Sequence, residues 1–211
     1  VVRRWLDEGA LPPIEAVRPE EMINAFEYDY RAPRRGLDLS IDGGPSPFDR
    51  EHVLVRVGVQ GEIVDDADRP PAALTFVVDT SGSMDRDDRL GLVKRSLEML
   101  VDELEPDDTV AIVTYESDAG IVLAPTPVAD REVILDAIDD LEPGGSTNLE
   151  AGLRTGYGLA GEAFREGGIN RVVLASDGVA NVGMTDPAAL ASMIADDAER
   201  GIDLVTVGFG M

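Results

Sequence analysis

An apolar run in this sequence ends in an aspartate that is followed by hydroxyl and glycine residues, in the stretch FVVDTSGSMD at residues 76–85. Asp79, Ser81 and Ser83 each carry oxygen on a short side chain. The glycine between the two serines leaves the backbone free to bend. Short oxygen-bearing side chains held close together are suited to a small, hard cation. The stretch therefore predicts a cation site at the end of a strand.

Two more polar clusters follow apolar or glycine-rich segments further along the chain. Asp177 ends the run RVVLASD and precedes a glycine, and Thr147 lies in the turn GGSTN. In open α/β sheets ligands bind at the carboxyl ends of the strands, where these side chains are expected to meet. Every candidate ligand is an oxygen, which favours Mg²⁺, Mn²⁺ or Ca²⁺ over zinc or copper. Mg²⁺ fits best, because short hydroxyl side chains suit a compact ion.

Each of these pieces also has a plainer interpretation. An aspartate at a strand end is often a turn residue, and Ser-Gly-Ser and Gly-Gly-Ser-Thr-Asn are ordinary loop sequences. We prefer the cation site because the pieces occur together, in order, and each at the end of a predicted strand or the start of a predicted helix. Asp85, Asp87 and Asp88 are interpreted as solvated acids at a helix start, where the helix dipole favours them, rather than as a second cation site.

The elements that must position these residues alternate between strand and helix from residue 72 onward. Strand patterns cover 74–79, 109–115, 119–125, 171–177 and 203–209, and helical patterns cover 89–104, 130–141, 148–164 and 186–201. Such alternation predicts an α/β fold with a mostly parallel sheet covered on both faces. The short link ESD after residue 115 predicts a hairpin and therefore one antiparallel strand.

The first 71 residues have a different pattern. A helix is predicted over 19–30, an alternating strand over 52–59, and a polar, proline-terminated linker over 65–71. We therefore divide the chain into an N-terminal extension, residues 1–71, and an α/β domain, residues 72–211. The chain lacks an initiating methionine and stops directly after a strand-like run. We expect it to be a fragment, truncated at the C-terminus.

Composition narrows the classes of partner. The 42 acidic and 18 basic residues give a formal net charge of −24, which disfavours nucleic acid and anionic membranes as partners. The sequence has no cysteine, which excludes thiol catalysis and zinc–thiolate sites. No window approaches the 18 or so apolar residues of a transmembrane helix, so no direct membrane insertion is expected.

The motif D-T-S-G-S-M at 79–84, the downstream Thr147 and the strand that ends in Asp177 resemble the metal-ion-dependent adhesion site (MIDAS) of von Willebrand factor type A domains. The resemblance covers about residues 72–211. It implies a Rossmann-like fold with a mostly parallel six-stranded sheet, flanked by helices and with one antiparallel edge strand. It also implies that Asp79, Ser81, Ser83, Thr147 and Asp177 hold the cation. One coordination position then stays open for an acidic side chain of a partner protein.

The N-terminal stretch WLDEGALPPIEAVRPEEMINAFEYDY, residues 5–30, is similar to the start of a microbial subgroup of these proteins, sometimes called calcium-activated chloride channel-like. That subgroup implies a location at the cell envelope or outside the cell. It also implies a further C-terminal region. The strand at 52–59 has no obvious partner in the sequence, and we expect it to join a β-layer completed by that region.

Enzymatic readings fit the sequence less well. An aspartic protease needs a second Asp-Thr-Gly-type motif, and an aspartyl phosphatase needs an acid where Ser81 stands. No nucleophile elbow and no P-loop occur, and the only histidine, His52, lies in the front strand. Trp5 and the tyrosines, Tyr115 among them, are assigned to packing. The sequence thus favours a divalent-cation-dependent protein-binding module over an enzyme. A module with a purely stabilising cation and a metal-dependent phosphotransfer enzyme remain as alternatives.

Overall fold

A computed structural model of the chain describes residues 2–7, 9–14, 17–64, 68–86, 89–178 and 186–209. The chain divides into two compact units, Val1–Arg69 and Pro70–Met211. The first unit contains α1 (Val2–Asp7), α2 (Pro19–Asn24), β1 (Leu37–Pro45) and β2 (Val53–Gly61). The second contains β3 (Ala72–Asp79), α3 (Leu90–Asp102), β4 (Thr109–Tyr115), β5 (Ala119–Pro127), α4 (Arg131–Asp139), α5 (Leu149–Glu162), β6 (Ile169–Ser176), α6 (Pro187–Met193), α7 (Ala195–Glu199) and β7 (Ile202–Gly208). None of the helices described has both the length and the apolar character needed to cross a bilayer.

The second unit is built on one sheet with the strand order β5-β4-β3-β6-β7. Strand β3 runs parallel to both of its neighbours, β4 and β6, and β7 is parallel to β6. Strand β5 pairs with β4 in the antiparallel direction, as the short link between them predicted. The α/β class and the mostly parallel sheet are confirmed, and the described residues supply five strands of it. The strand order places β3, which ends in Asp79, at the centre of the sheet.

The central strand is apolar on both of its faces because helices cover both. Phe76 and Val78 pack into one buried cluster with residues of α3 and α4, whereas Val77 packs into the other with residues of α5. Successive side chains of a strand point to opposite faces. A strand covered on both faces is therefore expected to be a continuous apolar run, as β3 is. The carboxyl end of this rigid strand is thereby held in a fixed position.

Helix α5 approaches the sheet closely because two of its glycines face the strands. A Cβ added at Gly152 would lie 2.8 Å from the ring of Tyr115, and one added at Gly156 would lie 2.3 Å from Cγ2 of Val77. The two glycines are one helical turn apart on the buried face of the helix. The glycines that weaken the helical pattern in the sequence are therefore what allows this helix to pack against β3 and β4.

We expect Gly156→Ala to lower the free energy of unfolding by roughly 2 kcal/mol, because the added methyl group overpacks a site closed by the fully buried Val77. The matched control is Gly158→Ala on the same helix, where an added Cβ meets nothing within 4 Å. That change should raise the free energy of unfolding by up to about 1 kcal/mol, through helix propensity alone. Urea denaturation followed by circular dichroism measures both. Effects of the same sign at the two positions would contradict the packing account.

The last predicted helix of the domain is interrupted. The pattern over 186–201 predicted one helix, whereas the structure has α6 and α7 separated at Ile194. Asp186 caps α6, since its side chain accepts a hydrogen bond from the amide of Ala189 at 2.9 Å, and Pro187 follows at the first helical position. The predicted start of this helix at residue 186 therefore agrees with the structure to within one residue.

The first unit corrects two predictions. Strand β2 does have a partner: it pairs antiparallel with β1, a strand that was not predicted, in a register that places Leu39 opposite Val59. Helix α2 ends at Asn24, short of the predicted 19–30, and the chain has no regular secondary structure over residues 27–33. In this segment the rings of Tyr28 and Tyr30 stack with centroids 5.3 Å apart. A β-layer completed by a C-terminal region stays a prediction.

Candidate metal centre

The buried carboxylate of Asp79 lies between the two neighbouring strands at the end of β3. Tyr115 is its register partner on β4, and Ser176 ends β6 on the other side. Oδ2 of Asp79 accepts hydrogen bonds from the Ser176 hydroxyl at 3.0 Å and from the Tyr115 hydroxyl at 3.4 Å. Oδ1 accepts one from the backbone amide of Ser81 at 2.9 Å. These three donors fix the orientation of a fully buried charge and stabilise it.

Tyr115 has a second role beside the packing that the sequence predicted for it. Its ring lies in the core beneath α5, but its hydroxyl reaches the carboxylate of Asp79. Burial, together with the negative charge of Asp79, raises the pKa of Tyr115 well above its usual value. The phenol therefore keeps its proton at neutral pH and remains a donor to Asp79.

A chain of hydrogen bonds joins the two serines of the motif to the second aspartate. The hydroxyl of Ser83 donates to Oδ1 of Asp177 at 3.0 Å, and the hydroxyls of Ser81 and Ser83 are 3.1 Å apart. Because the single proton of Ser83 is directed to the carboxylate, Ser81 is the donor in the contact between the two serines. Lone pairs on both hydroxyl oxygens are then available to a ligand. We refer to Asp79, Ser81, Ser83 and Asp177 as the oxygen cluster.

Thr147 belongs to a neighbouring loop that is hydrogen-bonded to the first one. The amide of Gly82 donates to the carbonyl of Gly145 at 3.2 Å, and the amide of Gly144 donates to the carbonyl of Thr80 at 2.6 Å. Thr147 itself is buried, two residues beyond the first of these contacts. These backbone hydrogen bonds place the loop of Thr147 beside the loop of Ser81 and Ser83, at the carboxyl ends of the strands.

The glycine turn before Thr147 has a backbone reason for its composition. Gly145 has φ +63°, the left-handed region that favours glycine, and a Cβ there would lie 2.5 Å from a carboxylate oxygen of Glu116. Asn148 follows as the N-cap of α5, with its side chain accepting from the amide of Ala151 at 3.2 Å and its own amide donating to the carbonyl of Glu116 at 2.7 Å. The GGSTN turn therefore attaches the start of α5 to the end of β4.

Arg89 is a basic side chain in contact with the oxygen cluster, and the sequence did not predict it. One terminal nitrogen of its guanidinium forms an ion pair with Oδ2 of Asp177 and donates to the carbonyl of Ser83 at 2.8 Å. The side chain of Asp177 is only 5% exposed, so this pair is largely shielded from solvent. Both carboxylate oxygens of Asp177 thus have a partner, one neutral and one charged.

The donor set matches a hard divalent cation in its chemistry. It contains two carboxylates and short hydroxyls, all oxygen, on three loops that meet at one edge of the sheet. Within the described residues there is no group of three or more histidine, cysteine or acidic side chains that could hold a metal, so a cation here would depend on the hydroxyls. Two of the three acids considered for a second cation site, Asp87 and Asp88, lie outside the described residues.

Comparison with known proteins identifies the family. The sequence model described as the von Willebrand factor type A domain matches residues 74–179, half of the chain. The chain belongs to the von Willebrand factor type A domain family. A second family model, described as von Willebrand factor, matches residues 1–56. The type A match includes the whole D-T-S-G-S-M motif, Thr147 and Asp177.

A bacterial relative aligns with nearly the whole chain. The uncharacterized protein YfbK of Escherichia coli is 39% identical over 218 residues, which cover 99% of this chain and 38% of YfbK. The chain thus spans less than half the length of this relative. The type A domain and the residues before it are therefore both similar to parts of a longer protein.

Two solved structures share the type A fold. An aerotolerance-related membrane protein from Bacteroides fragilis is 25% identical with a TM-score of 0.53, covering 67% of this chain and 68% of its own. Proximal thread matrix protein 1 from the mussel byssus is 27% identical with a TM-score of 0.53, covering 66% of this chain and 36% of its own. The second structure has zinc in its MIDAS motif. Type A domains related to this chain thus include one that binds a divalent metal at that motif.

Proposed function

We propose that this chain is a divalent-cation-dependent protein-binding module. Asp79, Ser81, Ser83, Thr147 and Asp177 would hold Mg²⁺, or Mn²⁺ or Ca²⁺ in its place, and an acidic side chain of a partner protein would complete the coordination. The observation that carries the proposal is the continuous hydrogen-bonded path from Ser81 through Ser83 to Asp177, beside the buried Asp79. The zinc-occupied motif of the mussel protein supports a metal in this position.

The charge of the molecule makes the cation necessary for such a partner. A net charge of −24 repels an acidic ligand at long range, although salt screens that repulsion over about 8 Å. At contact a divalent cation dominates the local field. Binding of an acidic partner should therefore require the metal strictly. The rate of association should increase with ionic strength, because salt screens the long-range repulsion.

Isothermal titration of chelator-treated protein with Mg²⁺, Mn²⁺ and Ca²⁺ tests the first half of the proposal. We expect one cation per chain. The second half is tested with a fluorescent peptide that carries a single aspartate, with a matched asparagine peptide as control. Only the aspartate peptide should bind, and only with metal present. Binding that is unchanged in EDTA would refute the proposal.

EDTA should leave the fold intact, because the buried clusters on both faces of the sheet do not include the oxygen cluster. We expect an unchanged far-ultraviolet circular dichroism spectrum and a lower melting temperature, since a cation that binds only the native state stabilises it by mass action. Loss of the spectrum in EDTA would instead indicate a purely stabilising cation. So would cation binding without any aspartate-dependent peptide binding.

We further propose that the chain is not an enzyme and that it acts at the cell envelope or outside the cell. The similarity to a membrane protein and to a byssus protein supports the location. A phosphotransfer activity would appear in a screen against generic phosphoesters. Metal-dependent turnover that disappears in Asp79→Ala would overturn the non-enzymatic assignment.

A further inference from the structure

The contact between Arg89 and Asp177 places a positive charge where the proposed cation needs a negative one. The guanidinium is bound to Oδ2 of Asp177, and the hydroxyl of Ser83 is bound to Oδ1. Among the described residues in contact with this carboxylate, Arg89 is the charged one. A divalent cation that binds near Asp177 therefore competes with Arg89 for the negative charge of this carboxylate. Repulsion between the cation and the guanidinium opposes binding of both at the same time.

The position of Arg89 is held by charge rather than by a full set of hydrogen bonds. The terminal nitrogen has two acceptors, Asp177 and the carbonyl of Ser83. The Nε–H is buried and finds no acceptor among the residues that the structure describes. A buried donor without a partner is unfavourable. This arrangement is one that a competing cation can displace.

We propose that Arg89 is an internal counter-ion of the oxygen cluster, which pairs with Asp177 in the metal-free protein and is displaced from it when a divalent cation binds. This inference rests on the proposed function, because it concerns occupancy of the same cluster. Arg89 thereby stabilises the metal-free fold and lowers the apparent affinity for the metal. If the pair with Asp177 is formed about 90% of the time, the apparent Kd is about tenfold higher than the intrinsic one.

The test is titration of wild-type and Arg89→Gln proteins with Mg²⁺, combined with thermal melting in EDTA and in saturating Mg²⁺. We expect Arg89→Gln to bind Mg²⁺ about tenfold more tightly. The variant should melt below wild type in EDTA, because the largely buried carboxylate of Asp177 then lacks its counter-charge, and Mg²⁺ should raise its melting temperature by more than that of wild type. A merely structural arginine would lower the melting temperature in both conditions and leave the affinity unchanged.

Arg131→Gln is the matched control. It removes an arginine–aspartate pair with Asp102, which ends α3 about 20 Å along the helix from Arg89. Its Mg²⁺ affinity should equal that of wild type. If Arg89→Gln does not fold, Arg89→Met replaces it, because methionine also removes the positive charge while keeping a long unbranched side chain, and this variant should also bind Mg²⁺ more tightly than wild type.

The outcomes separate this inference from the proposed function. If wild type binds Mg²⁺ and the Arg89 variant binds it no more tightly, the inference is wrong and the proposed function stands. If Arg89→Gln binds Mg²⁺ where wild type does not, the competition is confirmed in its strongest form. If neither protein binds a divalent cation, the proposed function is wrong and the inference is wrong with it.

Discussion

Asp79→Asn should reduce the affinity for Mg²⁺ by at least about 100-fold, which corresponds to about 2.7 kcal/mol. The physical reason is the loss of one of the two carboxylates of the oxygen cluster, at a fully buried position. Two unit charges about 4 Å apart interact by about 4 kcal/mol at the effective dielectric of a protein surface, so even a water-mediated contact accounts for the loss. Isothermal titration of the chelator-treated variant measures it.

The substitution keeps only part of the hydrogen bonding of this side chain, because the new NH₂ group replaces Oδ2 and cannot accept from the hydroxyls of Ser176 and Tyr115. The remaining amide oxygen can still accept from the amide of Ser81, which is 2.9 Å from Oδ1 in the wild-type protein. Asp107→Asn is the control, because it makes the same change of net charge at an exposed residue before β4, at the opposite end of the sheet. Equal losses of affinity in the two variants would show that overall charge, not the cluster, governs metal binding.

Asp108→Ala should lower the free energy of unfolding by roughly 3 kcal/mol, because it leaves one buried and one partly buried backbone donor without acceptors. Asp108 is fully buried at the end of the sheet away from the oxygen cluster. One of its carboxylate oxygens accepts from the amide of Ala72 at 2.6 Å, and the other accepts from the amide of Glu105 at 2.8 Å. It thereby ties the start of β3 to the turn before β4.

Urea denaturation of Asp108→Ala, with Asp107→Ala as its neighbour control, tests this assignment. The exposed Asp107 should change the free energy of unfolding by no more than about 0.5 kcal/mol. The Mg²⁺ affinity of folded Asp108→Ala should match that of wild type, since the two sites lie at opposite ends of β3. Comparable stability of the two variants would mean that Asp108 is not the anchor described here.

The parts of the fold that the sequence predicted are those with a strong local pattern. Strand β3 was recognisable from a continuous apolar run, and the β4–β5 hairpin from its short polar link. Strand β1 was missed, although Leu37, Leu39 and Ile41 alternate, because Asp, Ser, Gly and Pro interrupt its pattern. The break at Ile194 was missed because nothing local marks it: no proline or glycine lies within α6 or α7 after Pro187.

The sequence indicated the residues of the oxygen cluster but not the groups that contact them. Asp79, Ser81 and Ser83 are neighbours in the chain, and Asp177 follows a recognisable strand, so their types and positions were informative. Tyr115 reaches Asp79 only because of the register between β3 and β4, and Ser176 only because β6 pairs with the other side of β3. Spacing in the sequence carries neither register nor strand order. The signal available for Arg89 was its place just before the first residue of α3.

The oxygen cluster and the serine that supports it join parts of the chain that are distant in sequence: Ser83 and Asp177 are 94 residues apart, and Asp79 and Ser176 are 97 apart. Such contacts form only after β6 has docked beside β3, and the closure of so long a loop has a high entropic cost. A cation bridging them would therefore add little to the rate of folding. It would instead slow the opening of the finished structure, so that metal occupancy would lengthen the survival of each molecule under heat or proteolysis.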